Sequence, residues 1–156
     1  MVTSPPLHRS PTLERNGIMS QSRKPLSIEL DIPVRTYDID FAGIVSNIVY
    51  VRWLEDLRTK MLETYLPLDH LMKQNIAPVV VKTTIHYHRP VKLFDKLHAV
   101  MWMGDMGTVR GTIMAEFSVG DTVVARAEQI GAFVKLSTGR PVPVPEEFVT
   151  QYRANQ

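Results

Sequence analysis

The 156-residue chain contains no cysteine, so disulfides, thiolate zinc sites and cysteine nucleophiles are excluded. No apolar run approaches the ~18 residues that a bilayer span requires. The N-terminus lacks the apolar stretch of a secretory signal, and the expected location is the cytoplasm. Neither a Gly-x-Ser-x-Gly elbow nor a glycine-rich phosphate loop carrying lysine occurs, which argues against serine-hydrolase and nucleotide chemistry. Basic charge is also scarce where a nucleic-acid-binding domain would need it. Although the pI is near 9.0, residues 1–26 carry a net +3 and the remaining chain a net −1, and the body shows no basic stripe.

What remains is the composition of an ordinary globular domain, 44% apolar and 22% charged. The length favours one domain with a sizeable core. Residues 1–26, rich in Ser, Pro and Arg, read as a disordered tail preceding a domain over 27–156. Met19 offers an alternative start, and a targeting segment is a weaker reading.

From Ser27 the pattern changes. Ile28, Leu30, Ile32 and Val34 alternate with polar residues at strand period. A loop from Thr36 to about Ser46 leads into a helix over Asn47–Tyr65, apolar around most of its first half and therefore expected to be buried on all sides. A short second helix or turn is expected over 67–74. Strands follow at about 77–89, 94–103, 108–119 and 122–135, separated by turn residues such as Gly104-Asp105-Met106-Gly107 and Gly120-Asp121. A Pro-rich end (Pro141, Pro143, Pro145) leads to a short terminal segment. The class is α+β: one antiparallel sheet of about five strands wrapped around one long helix. Its uncovered edges predict closure by dimerisation.

Chemistry concentrates in the 36–50 loop. Asp38 and Asp40 stand just before Gly43 and the start of a helix. A helix N-terminus offers free N–H groups and a positive dipole end, suited to an oxyanion. A carboxylate beside it is placed to act as general base or nucleophile. Gly43 allows either close backbone approach or a positive φ. Aspartates before a helix also serve as caps and turn formers, so spacing alone leaves both readings open.

The pattern Asp38-x-Asp40-x-x-Gly43-x-Val45-x-Asn47-x-x-Tyr50, followed by Glu55-x-x-Arg58, resembles the signature of the 4-hydroxybenzoyl-CoA thioesterase family of hotdog proteins. The stretches His86-Tyr87-His88-Arg89-Pro90 and Phe94-Asp95-Lys96-Leu97 extend the likeness, which covers about residues 28–150. The resemblance implies a hotdog fold and an acyl-CoA or acyl-carrier-protein thioester hydrolase without cofactor. It places the catalytic carboxylate on Asp40, the loop glycine on Gly43 and the oxyanion site at the helix start near Asn47. Asp38, Val45, Ser46, Tyr50 and Glu55 fall on positions that support the site or bind substrate. It also implies a homodimer or homotetramer in which a partner chain completes the site. Thr36 and Ser46 depart from residues common in the family, at positions that shape its acyl pocket.

Three other readings are weaker. Glu55 competes for the catalytic role, but pairing with Arg52 or Arg58 accounts for it. His86 and His88 share a strand face without a third ligand, so no metal site is expected. A dehydratase or hydratase on the same fold would bring a histidine to the site, and the 36–50 loop has none. A non-catalytic acyl-thioester binder is the remaining alternative. Aryl and aliphatic substrates are both open.

Overall fold

The computed structural model describes residues 23–156; most of the expected N-terminal tail lies outside them. Packing begins slightly before the anticipated boundary. Leu26 is almost fully buried, and the Pro25 carbonyl accepts from Met103 N–H.

The elements in order are β1 (Ile28–Pro33), a 3-10 turn (Thr36–Asp38), α1 (Asn47–Tyr65), α2 (Leu68–Lys73), β2 (Ile76–Tyr87), β3 (Lys96–Met106), β4 (Arg110–Val119), β5 (Thr122–Lys135), β6 (Pro141–Val142) and α3 (Glu146–Ala154). The sheet order is β1-β3-β4-β5-β2, with β6 added beside β5, and every pairing is antiparallel. The α+β reading is borne out, as are the alternation of β1 and the bounds of α1. The four late strands begin or end within three residues of their expected limits.

Period-two alternation sends one set of side chains inward. Met101, Ala115, Phe117, Ala125 and Ala127 meet Val49, Tyr50, Trp53, Leu54, Leu57 and Met61 of α1 in one core. Small alanines on β4 and β5 leave room for the α1 aromatics. Tyr50 packs edge-on against Trp53, Tyr87 and Phe117 at 5.0–5.3 Å between ring centroids.

Burial of α1 on all sides is not what the structure shows. Ile48 and Val51 are 66% and 51% exposed, because a single sheet covers one side of a helix and leaves the other open. β2 forms an open edge of the sheet, with Val79, Val80 and Val81 all exposed. α3 and β6 went unrecognised in the sequence. α3 packs Phe148 on Phe133, and its Tyr152 hydroxyl donates to Gly104 O at 2.6 Å. Among the described residues no helix is long and apolar enough to cross a membrane.

Candidate active site

The loop before α1 is a miniature hairpin. Ile39 and Val45 form an antiparallel bridge, Asp40 N–H donates to Ile44 O at 2.9 Å, and Gly43 N–H donates to Asp40 O at 3.0 Å. Asp40, Phe41, Ala42 and Gly43 are therefore its turn. Gly43 has φ +75° with open space around its missing Cβ; of the two roles open to it, positive φ is the one used. The Asp40 carboxylate accepts from Ala42 N–H at 2.8 Å through Oδ1, an Asx turn that fixes its orientation. The residue is half-buried at the hairpin tip.

Two further contacts join this hairpin to α1. Ser46 N–H donates to the Asp38 carbonyl, and Val45 N–H donates to Val91 O at 2.8 Å. The Asp38 side chain is buried and accepts from Arg35 N–H at 2.8 Å, so Asp38 braces the loop while Asp40 presents an oxygen outward. Ser46 is the N-cap but makes no side-chain cap bond. Among the described residues nothing accepts from the N–H groups of Asn47 or Ile48; they are the free donors of a helix start. Tyr87, at the end of β2, donates its hydroxyl to Asn47 O at 2.9 Å and ties the first turn to the sheet edge.

The remaining expected residues separate into different settings. Val45 is buried under the hairpin, Ser46 is half-buried and Asn47 is exposed. Tyr50 sits in the aromatic core beneath the site, where the structure gives it a packing position. Burial, then the Tyr87 phenol, push its pKa up to about 12. Glu55 pairs with Arg58 and lies two turns further along α1, away from the hairpin.

A cavity of about 690 Å³ opens along the second half of α1. It runs between Arg58, Met61 and Leu62 and the inner face of β2–β5, and Val144 and Phe148 also line it. Arg58, held half-buried at its rim, donates to Gln129 Oε1 at 3.1 Å, and Gln129 donates to Thr83 Oγ1 at 2.9 Å. Burial lowers the Arg58 pKa from its ordinary value. Sequence reasoning missed both cavity and network. The signal was there in Gln129, a polar residue at an inward position of β5 between Ala127 and Gly131. In one chain Asp40 does not line the cavity: Glu55, the lining residue of α1 nearest the hairpin, stands eight positions after Asn47, about 12 Å along the helix.

A family model of the thioesterase-like superfamily matches residues 34–152. The chain is 29% identical over 128 residues to the acyl-CoA thioester hydrolase YbgC of Escherichia coli O6:H1, a match spanning 78% of this chain and 93% of that protein. It is 37% identical over 70 residues to the long-chain acyl-CoA thioesterase FadM of Escherichia coli K12, covering 45% of this chain and 53% of that one. Slr0204, a 1,4-dihydroxy-2-naphthoyl-CoA thioesterase from Synechocystis, superposes with a TM-score of 0.73 at 19% identity, over 81% of this chain and 96% of its own. At that identity the likeness is one of fold.

Proposed function

The chain belongs to the thioesterase-like superfamily, with the hotdog arrangement of sheet and helix, and from that premise we propose that it hydrolyses an acyl-CoA or acyl-carrier-protein thioester at Asp40. One observation carries the reading: a carboxylate oriented by its own turn stands on the hairpin that feeds the free N–H groups of Asn47 and Ile48. The thioester carbonyl oxygen sits against those N–H groups, which stabilise negative charge as it develops. Such donors are typically worth ~10²–10³-fold in rate. Asp40 either takes a proton from water, which then adds to the carbonyl carbon, or attacks that carbon itself to give an anhydride that water opens. On either route the C–S bond breaks, the thiolate leaves and is protonated, and the free acid remains. Proton transfer by a positioned base adds ~10²–10⁴-fold. The 89–92 segment, bonded to the hairpin through Val91, brings Arg89 and Lys92 within reach of the phosphates of the thiol arm.

A second copy completes the site on this reading. Antiparallel pairing of β2 with its equivalent sets the Tyr87 end of one strand beside the Ile76 end of the other. Tyr87 holds Asn47, and Ala77–Val80 line the cavity. The pairing therefore carries the Asp40 hairpin of one copy toward the cavity of the other, and covers Val79–Val81.

The test is thiol release from acyl-CoA esters by the wild type and Asp40→Asn, with sedimentation as a check on assembly. A loss of at least ~100-fold in kcat/KM by a folded variant of unchanged assembly supports the assignment. Undiminished turnover refutes it and turns attention to Glu55.

A further inference from the structure

Tyr87 makes a hydrogen bond that the backbone does not require. Its hydroxyl donates to Asn47 O at 2.9 Å, across 40 residues of sequence. The groups left unpaired at the start of an α-helix are N–H groups; a first-turn carbonyl already receives the N–H four residues on. The bond therefore satisfies no orphan. Tyr87 is also 42% exposed, so water is open to its hydroxyl as another partner.

The ring that delivers the hydroxyl is firmly held. It packs edge-on against Tyr50, with 5.1 Å between centroids and 79° between planes. Its backbone is paired with Ala125 of β5, and the next two N–H groups, of His88 and Arg89, both donate to Val124 O at 2.8 and 3.1 Å. Further along, Val91 O receives Val45 N–H. The 87–91 segment thus grips the approach to α1 twice, at the base of the Asp40 hairpin and at the first helical turn. Burial raises the Tyr87 pKa above its ordinary 10.0, so the hydroxyl keeps its proton through neutral pH.

The Asn47 carbonyl and the Ile48 N–H belong to one planar, resonance-coupled peptide unit. A donor on the oxygen draws electron density toward it, leaves the N–H more positive and fixes the direction in which that N–H points. Ile48 N–H is one of the two helix-start donors that have no acceptor among the described residues. We propose that Tyr87 is a positioning residue of the oxyanion site: through Asn47 O it holds and polarises the peptide whose Ile48 N–H meets the thioester oxygen. This rests on the thioesterase reading above. The benefit grows as negative charge develops on that oxygen, so it belongs to kcat rather than to KM. An oxyanion donor is worth ~10²–10³-fold. Hydrogen bonds in series strengthen one another by roughly 10–30%, and that share of two to three powers of ten is a factor of about two to eight.

The experiment compares wild type, Tyr87→Phe and a protein carrying meta-fluorotyrosine at position 87, whose hydroxyl is more acidic and, while neutral, a stronger donor. Phenylalanine keeps the packing on Tyr50 and loses the hydroxyl alone. With octanoyl-CoA, kcat is expected to fall about two- to eightfold in Tyr87→Phe, with KM within about twofold of wild type. The fluorinated ring is expected to restore kcat to the wild-type value or above. Magnetic resonance of isotope-labelled protein without substrate reads the contact itself. The Asn47 carbonyl carbon and the Ile48 nitrogen are expected to move upfield in Tyr87→Phe and downfield with fluorotyrosine. If Tyr87→Phe fails to fold, the fluorinated protein carries both readouts by itself. Resonances that stay in place overturn the proposal, as does a kcat unchanged in Tyr87→Phe or a loss that the fluorinated ring deepens. In each of these cases wild-type turnover still stands, and with it the thioesterase reading. A wild type that hydrolyses none of butyryl-, octanoyl- and palmitoyl-CoA defeats that reading instead, and the role of Tyr87 falls with it even where the resonances move.

Discussion

Removing the Arg58 guanidinium is the sharpest perturbation of this molecule that does not touch the proposed chemistry. Gln129 is 2% exposed, and its amide is satisfied only because Arg58 donates to its oxygen and Thr83 accepts from its nitrogen. Arg58→Met keeps most of the apolar stem but leaves the Gln129 oxygen buried without a donor. Such an orphan costs ~1–3 kcal/mol, so a loss of about 2 kcal/mol is expected. Gln129→Met is milder, about 1 kcal/mol on the same scale, because Arg58 keeps Glu55, itself 65% exposed, and some access to water. The double variant removes both polar groups at once and leaves two thioether side chains in contact. Its cost is expected to fall below that of Arg58→Met alone, a coupling of more than about 1 kcal/mol between residues that share a bond. Urea unfolding at one fixed protein concentration reads all four corners of the cycle, since any self-association shifts the midpoint. Costs that simply add, or an Arg58→Met variant within ~0.5 kcal/mol of wild type, the range of ordinary surface changes, refute the argument that this network is held together by burial.

Two further outcomes follow from the site and its support. Gly43→Ala places a Cβ at φ +75°, which costs roughly 1–2 kcal/mol. Because the strained turn also carries Asp40, thiol release is expected to fall with the melting temperature, and Gly43→Asn to be better tolerated than alanine. Tyr50 has its pKa raised to about 12, so the fold favours the neutral phenol. That contribution is complete below the unfolded value near 10 and is lost as pH rises from there through about 12. Urea midpoints are expected to decline over that window and to decline less in Tyr50→Phe; a Tyr50→Phe protein with the same alkaline decline would refute the assignment.

Local pattern carried far in this chain. α1 was legible from residue to residue because Asn47–Tyr65 is bounded by a loop of turn formers and by Pro67, and the hairpin strands because glycine and aspartate punctuate them. Asp40, Gly43 and the helix start were visible as a constellation, since the whole hairpin is contained in a dozen residues. Other features depended on distance in sequence. The cavity draws its lining from residues as far apart as Glu55 and Phe148, a span that no window along the chain contains. α3 carries ordinary signs, Glu146 and Glu147 in the first turn and Phe148 and Tyr152 one turn apart. The preceding prolines obscured it, yet its Phe148 lines the cavity. Ile48 and Val51 mark the limit of composition as a guide, because apolar character along a helix records that a face wants cover without saying whether the same chain provides it.

The open edge at β2 has a consequence for how the polypeptide comes into being. Val79, Val80 and Val81 form a short, uncharged, strand-forming run on an unpaired edge, with Pro78 before it and Lys82 after it. Runs of this kind template indiscriminate strand addition while they are bare, and a proline or lysine alongside acts as a brake. The newly folded single chain is thus at its most vulnerable between synthesis and the moment that edge is satisfied. On the strand pairing proposed above, recovery on refolding would depend on protein concentration, where capture of the edge by a second copy competes with aggregation. A variant that weakens this strand would be noticed first as lost soluble yield, before any change in turnover per active site.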